Sequence, residues 1–279
     1  MIYIPKYEPG RLGGGWTWSR NFVKGIGDQF TSDYNAADTY LLPSASMVST
    51  GEVEQAKADG KKIVMRVDNI TRNSRNKRNG MDRMFTKAQM ADLVIYQSKF
   101  ARDLLQPFLQ AENHKVIMNA CDTDVFNDLG RKDDGHTYLY SRYNRDETKN
   151  WEVARYTFQN IQEDEMEARL YLVGQFSPEL LDNNFDFYMG ENYEYLGVIE
   201  DPYRMAEIYR RTTKLIYTYW HDACSNTLIE AKACGCEILI PHPFFLEGSA
   251  QEIMEKDIEY FKLERMIREY KEAIRGISL

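Results

Sequence analysis

Short apolar runs of strand length alternate with helix-length amphipathic patterns along this chain, and the alternation starts afresh near its middle. In the first half, Ile2 to Ile4, Thr39 to Leu42, Lys62 to Val67 (KIVMRV), Asp92 to Gln97 (DLVIYQ) and His114 to Asn119 read as strands. Helices are predicted over Trp16 to Ile26, Gly51 to Ala58 and Lys99 to Leu109, the last with Ser98 as its N-cap. The second half predicts strands at Thr137 to Ser141, Arg169 to Val173, Leu215 to Tyr219 and Glu237 to Ile240. Its predicted helices are Trp151 to Gln162, Tyr203 to Arg211 and Thr227 to Cys234, followed by an amphipathic helix or helix pair over 250–274. Such alternation builds parallel sheets with helices on both faces. The polar stretch Asn127 to Gly135 is the best linker. The expected organisation is a first Rossmann-like domain over 1–128, a second over 129–250, and a helical segment at 251–279 packing back across both. Two doubly wound domains facing a central cleft bind ligands at the C-terminal ends of their strands.

With 279 residues the chain can bury one large core or two modest ones. A net charge of −8 is the wrong sign for a protein that coats duplex DNA, although a local basic site is still compatible with it. Cys121, Cys224, Cys234 and Cys236 lack zinc-ligand spacing and read as buried thiols, and no metal is expected. No signal peptide opens the sequence and no apolar run has the length of a membrane span, which predicts a cytoplasmic location.

Chemistry concentrates in Asp222-Ala-Cys-Ser-Asn-Thr-Leu-Ile-Glu230. A loop delivers Asp222, Ser225 and Asn226, and a helix is predicted to start at Thr227. The first N–H groups of a helix have no partner within it, so this start is an anion site by geometry and dipole. Asp222 and Glu230 flank it as carboxylates suited to sugar or ribose hydroxyls. Thr227-x-x-Glu230 also reads as a capping box, which needs no ligand. Arg142 and Lys149 follow the first strand of the same half, at the mouth of the expected cleft. Two cations there suit a diphosphate and its developing charge, and they suit a solvated polar loop equally.

These segments together resemble glycosyltransferase family 4, retaining enzymes of the GT-B fold. Gly13-Gly14-Gly15 resembles the family's glycine-rich loop, Ala91 to Ser98 its AD-x-V-x-x-x-S strand, and Val116 to Phe126 its VIPNGVDTxxF signature with Ala120 for Gly. Arg142 and Lys149 match its GRxxxxKG cations, with Ser141 and Asn150 in place of the glycines. Tyr195-Leu196-Gly197-Val198 is similar to its xFLGxV, and Asp222 to Glu230 to its paired carboxylates, with Asp for the first Glu. The resemblance covers residues 13 to 240. It implies a sugar transferred from a nucleoside diphosphate sugar to an acceptor hydroxyl, with no cofactor and no metal. Arg142 and Lys149 would bind the diphosphate, Glu230 the ribose and Asp222 the transferred sugar. Gly14, Gly15, Ser225, Asn226 and Thr227 would complete the donor site. Asp68 stands where the family often has a His; it would contact the sugar or accept the acceptor's proton, and it also reads as a loop cap.

Between Arg66 and Lys87, seven cations face only Asp68 and Asp82. The stretch reads as a basic, mobile loop near the acceptor, with Arg72, Arg75, Lys77 and Arg78 as candidate contacts for a polyanion. A modified DNA base or a nucleotide fits that expectation, as does likeness to compact bacteriophage members of the family. A solvated loop fits the same charges. Alternatives are a nucleotide-sugar or polyanion-binding module without turnover, a transferase acting on a cell-surface glycan or lipid-linked acceptor, and an epimerase using His221.

Overall fold

The computed structural model describes residues 1–10, 13–68, 80–131, 135–144, 147–176 and 192–277, with only the backbone course at 142–144 and 147. The chain forms two compact units. The first comprises Met1–Cys121, Asp222–Asn226 and Glu252–Leu279, and the second Asp122–His221 and Thr227–Gln251. They differ from the sequence-based division: the first ends at Cys121, ahead of the polar stretch, and takes in both the Asp222–Asn226 loop and the C-terminal segment.

The first unit is built on a parallel sheet ordered β1 (Ile2–Tyr3), β2 (Thr39–Leu42), β3 (Lys62–Val67), β4 (Leu93–Tyr96) and β5 (His114–Val116). A parallel bridge from Ile2 to Phe30 extends it beyond β1. The chain thus leaves β1 through α1 (Gly14–Ile26) toward Phe30, then returns past β1 to β2. Right-handed crossovers in opposite directions put α1 on one face and α2 (Thr50–Ala58), α3 (Gly80–Met90) and α4 (Lys99–Leu109) on the other. The core divides the same way. Ile63 and Met65 point to a cluster holding Val53, Met84, Ala88 and Leu105. Val64, between them, points to Trp18, Phe22 and Ile26 of α1, as the two-residue period of a strand requires. On that second face α1 packs on α9 (Leu263–Arg275), through Met266, Ile267 and Tyr270. A Cβ on Gly25 would stand 2.5 Å from Ile267 Cγ1, so the glycine is what lets the two helices approach. Local signals set the helix starts: Ser49 and Glu52 form a capping box on α2, and Ser98 Oγ accepts from Ala101 N on α4.

The second unit carries a parallel sheet ordered β10 (Glu237–Leu239), β9 (Lys214–Ile216), β6 (Thr137–Asn144), β7 (Arg169–Gln175) and β8 (Tyr193–Gly197). Its helices are α5 (Trp151–Asp164), α6 (Pro202–Arg211) and α7 (Asn226–Ala233). The chain steps from β6 outward to β8, then reverses to β9 and β10. The reversal makes the C-terminal ends of β6 and β9 a topological switch point.

Two elements depart from the sequence reading, and a third resolves an alternative that the sequence left open. Gly80–Met90 is the helix α3, where a basic loop was expected. Tyr193–Gly197 is a strand that no strand reading covered. Residues 250–274 form a pair, α8 (Ser249–Met254) and α9, separated by a 3-10 turn at Ile258–Phe261 whose flanks Asp257 and Lys262 are extended. No helix among the described residues is long and apolar enough to cross a membrane.

Candidate active site

In the second unit, the loops leaving β6 and β9 are strapped together. Tyr140 and Thr218 both donate to the Lys149 carbonyl, at 2.9 and 2.7 Å. Asn150 Nδ2 donates to Thr218 O at 2.9 Å, and Trp220 N to Thr148 O at 2.9 Å. With the main chain fixed, the Lys149 ammonium lies 3.7 Å from the centroid of the buried Tyr219 ring. A ring face attracts a cation through its quadrupole and carries no net charge. It therefore orients the ammonium without neutralising it. Asn150 and His221 both adopt left-handed backbone conformations (φ 50° and 51°), unusual for non-glycine residues, and they directly adjoin Lys149 and Asp222. The Trp220 and Phe244 rings, both partly exposed, lie beside them with centroids 5.2 Å apart and planes tilted by 45°.

Arg142 lies in β6, where the register against β7 slips between Tyr140 and Tyr143. One extra β6 residue is accommodated there, a bulge of the kind that re-aims side chains. The Arg142 side chain lies outside the described residues. Ser141, in the same bulge, is fully buried, and its hydroxyl finds no hydrogen-bond partner among the described residues.

α7 begins at Asn226. Thr227 is consequently inside the first turn, two residues past the cap position, and so cannot form the capping box with Glu230. Thr227 and Glu230 are buried, and Gly235, at φ 78°, follows the end of the helix.

The first unit assembles a second polar group at the C-terminal edge of its sheet. Gly13, at φ 121° and ψ 156°, occupies a region open essentially to glycine alone and turns the chain into α1. Gly14 and Gly15 form the first turn of that helix. A Cβ on Gly15 would be 2.9 Å from Met47 Sδ and 3.8 Å from Asp68 Oδ2, so the Asp68 carboxylate stands beside the α1 start. Asp222 is half-buried, while Ala223 enters the core of this unit and Ser225 is buried. Burial pushes the Cys224 thiol up to about 12. All four cysteines are buried thiols, as expected, and none forms a disulfide.

Two cations assigned to the basic loop belong elsewhere. Arg66 is buried in β3 and donates to Pro43 O, Gln97 Oε1 and Asn119 Oδ1, with its guanidinium 4.6 Å from the centroid of the Trp18 ring. Lys87 is buried in α3 and donates to Ala45 O at 2.6 Å. Desolvation lowers the pKa of both. They are structural cations, not acceptor contacts. The signal was in the sequence: a charge inside the apolar run KIVMRV has to meet polar partners. Arg72, Arg75, Lys77 and Arg78 lie outside the described residues. Among the described residues, no cluster of His, Cys, Asp or Glu is arranged to hold a metal.

Solved structures of similar fold include glycosyltransferases. Anabaena HepE in complex with UDP is similar over 99% of both chains, with a TM-score of 0.67 and 12% identity. The fold is GT-B. The pneumococcal O-GlcNAc transferase GtfA, in complex with UDP and GlcNAc, is similar over 94% of this chain with a TM-score of 0.63 and 14% identity, and the match spans 60% of that enzyme's length. A glycosyltransferase from Rickettsia africae is similar over 87% of this chain and 78% of its own, with a TM-score of 0.58 and 16% identity. No protein-family model and no curated protein sequence matches the chain.

Proposed function

We propose that this chain is a retaining, metal-independent glycosyltransferase that takes a sugar from a UDP-sugar. The observation that carries the reading is Lys149, strapped at the β6/β9 switch point with its charge resting on the Tyr219 ring. The GT-B fold supports it, as do two neighbours bound to UDP.

In this reading the bond between the sugar's anomeric carbon and the diphosphate oxygen breaks while the acceptor oxygen bonds to that carbon. Lys149 and Arg142 stabilise the negative charge gathering on the departing UDP, together with the N–H groups of Ser225, Asn226 and Thr227. Gly14 and Gly15, at the start of α1, line the sugar side. Glu230 holds the ribose hydroxyls and Asp222 the transferred sugar. Asp68, beside Gly15, takes the acceptor's proton. Binding in one geometry supplies much of the rate, since no protein nucleophile is needed.

The acceptor is proposed to be anionic, a modified DNA base or a nucleotide, gripped by Arg72, Arg75, Lys77 and Arg78.

Release of UDP from UDP-glucose and UDP-GlcNAc in EDTA, with and without single-stranded DNA, tests the proposal. Lys149→Ala and Glu230→Ala are expected to lose most of the turnover while keeping the wild-type melting temperature. Undiminished turnover in either variant overturns the site assignment. UDP binding without release favours a binding module.

A further inference from the structure

A buried chain of side-chain amides runs from Arg66 to the first residue of α7, and every link in it belongs to the first unit. Arg66 Nη2 donates to Asn119 Oδ1 at 3.1 Å and to Gln97 Oε1 at 2.7 Å, and Nη1 donates to Pro43 O at 2.8 Å. On its other side, Asn119 Nδ2 donates to Asn226 Oδ1 at 2.9 Å and to Cys224 O at 3.3 Å. The Asn119 main chain is held as well, its carbonyl accepting from Arg265 Nη2 at 3.1 Å.

The direction of these bonds follows from the chemistry of one residue. A guanidinium has donors and no acceptor. The Asn119 amide must therefore turn its oxygen to Arg66 and its nitrogen away. That nitrogen needs an acceptor, so the Asn226 amide must turn its oxygen inward. What remains on Asn226, which is half-buried, is its NH2 group. Gln97 obeys the same rule, accepting from Arg66 and donating onward to Val67 O at 2.8 Å.

We infer that Arg66 is a positioning residue that acts through Asn119 to fix the polarity of Asn226, so that the side chain at the α7 start offers hydrogen-bond donors and no acceptor to the donor's diphosphate. The inference deepens the proposed function and rests on reading the α7 start as the diphosphate site. It has a second consequence for the same loop. The Cys224 carbonyl, whose dipole would oppose an anion, is engaged by Asn119.

The test compares binding of UDP and of uridine, which has the same base and ribose and no diphosphate. Asn119→Asp keeps an acceptor for Arg66, as an ion pair, and removes the donor to Asn226. Asn226→Asp keeps the acceptor for Asn119 and places a second acceptor where the NH2 was. Each is expected to weaken UDP at least tenfold by calorimetry and to leave uridine within about twofold. Combined with Asn226→Ala, Asn119→Asp is expected to add no further loss, because its effect runs through the Asn226 side chain. If Asn119→Asp does not fold, Asn226→Asp poses the same question at the half-buried end. A wild-type chain that binds UDP no better than uridine overturns the diphosphate site and the relay with it. A wild-type preference for UDP that both variants retain, or equal losses for UDP and uridine, overturns the relay alone.

Discussion

Arg66, near the C-terminal end of β3 in the first unit, and Lys149, in the 3-10 turn that follows β6 in the second, are cations held in opposite ways. Arg66 is engulfed, its guanidinium donating to a carbonyl and two amide oxygens. Lys149 is half-exposed, fixed through its own main chain, with its ammonium over a ring. The difference teaches what a charge in such a fold is for. A cation that donates to several buried oxygens organises the protein around it, whereas one laid on a ring face is oriented at a partly exposed position.

The contrast breaks most visibly in stability. Arg66→Ala is expected to cost about 3–5 kcal/mol in urea unfolding, because Pro43, Gln97 and Asn119 lose a shared donor inside the core. Lys149→Ala is expected to cost less than about 1 kcal/mol and to lower turnover by about 100-fold or more. Equal destabilisation by the two would erase the distinction. A finer test concerns the ring. Tyr219→Leu removes a contact worth about 0.5–2 kcal/mol and is expected to lower the UDP-to-uridine affinity ratio several-fold, whereas Tyr219→Phe keeps it. Equal loss in both would mean that the hydroxyl matters and the ring does not.

The smallest effect is a control remote from either cation. Ser49→Ala at the α2 cap is expected to cost about 1 kcal/mol near neutral pH. The Ser49 side chain and backbone, and Lys6, hold the Glu52 carboxyl below its ordinary range. A carboxylate depressed in the folded state stabilises above its unfolded value, and that support is lost as pH falls through the folded one. The gap between wild type and variant should therefore narrow in acid. A gap that widens there would mean that Glu52 is not part of the cap.

Much of this fold is legible in the sequence because strands buried on both faces are continuous apolar runs. KIVMRV and the helix from Lys99 to Leu109 have the bounds read from the residues alone. α3 was hidden because it follows a run of cations, and charge counting cannot see that Lys87 reaches the Ala45 carbonyl. β8 was hidden because its residues are mostly half-buried or exposed and lack a sustained apolar face. For the candidate site, sequence reading pointed to Lys149 and the α7 start, which are local patterns. It missed Tyr219 and Asn119 as partners. Each takes its meaning from a residue distant in sequence, which only the folded chain brings near.

The packing of α9 on α1 carries a consequence for biosynthesis. Trp18, Phe22, Leu41, Val64 and Ile95 are made before the second unit, yet Met266, Ile267 and Tyr270, which pack against them, are made only after it. Throughout synthesis of the intervening second unit, that face of the nascent first sheet has α1 but not α9, and its uncovered apolar surface is prone to stick to other chains. Burial there runs opposite to translation, and a fragment stopped at Cys121 should precipitate unless the segment from Glu252 onward is supplied in trans.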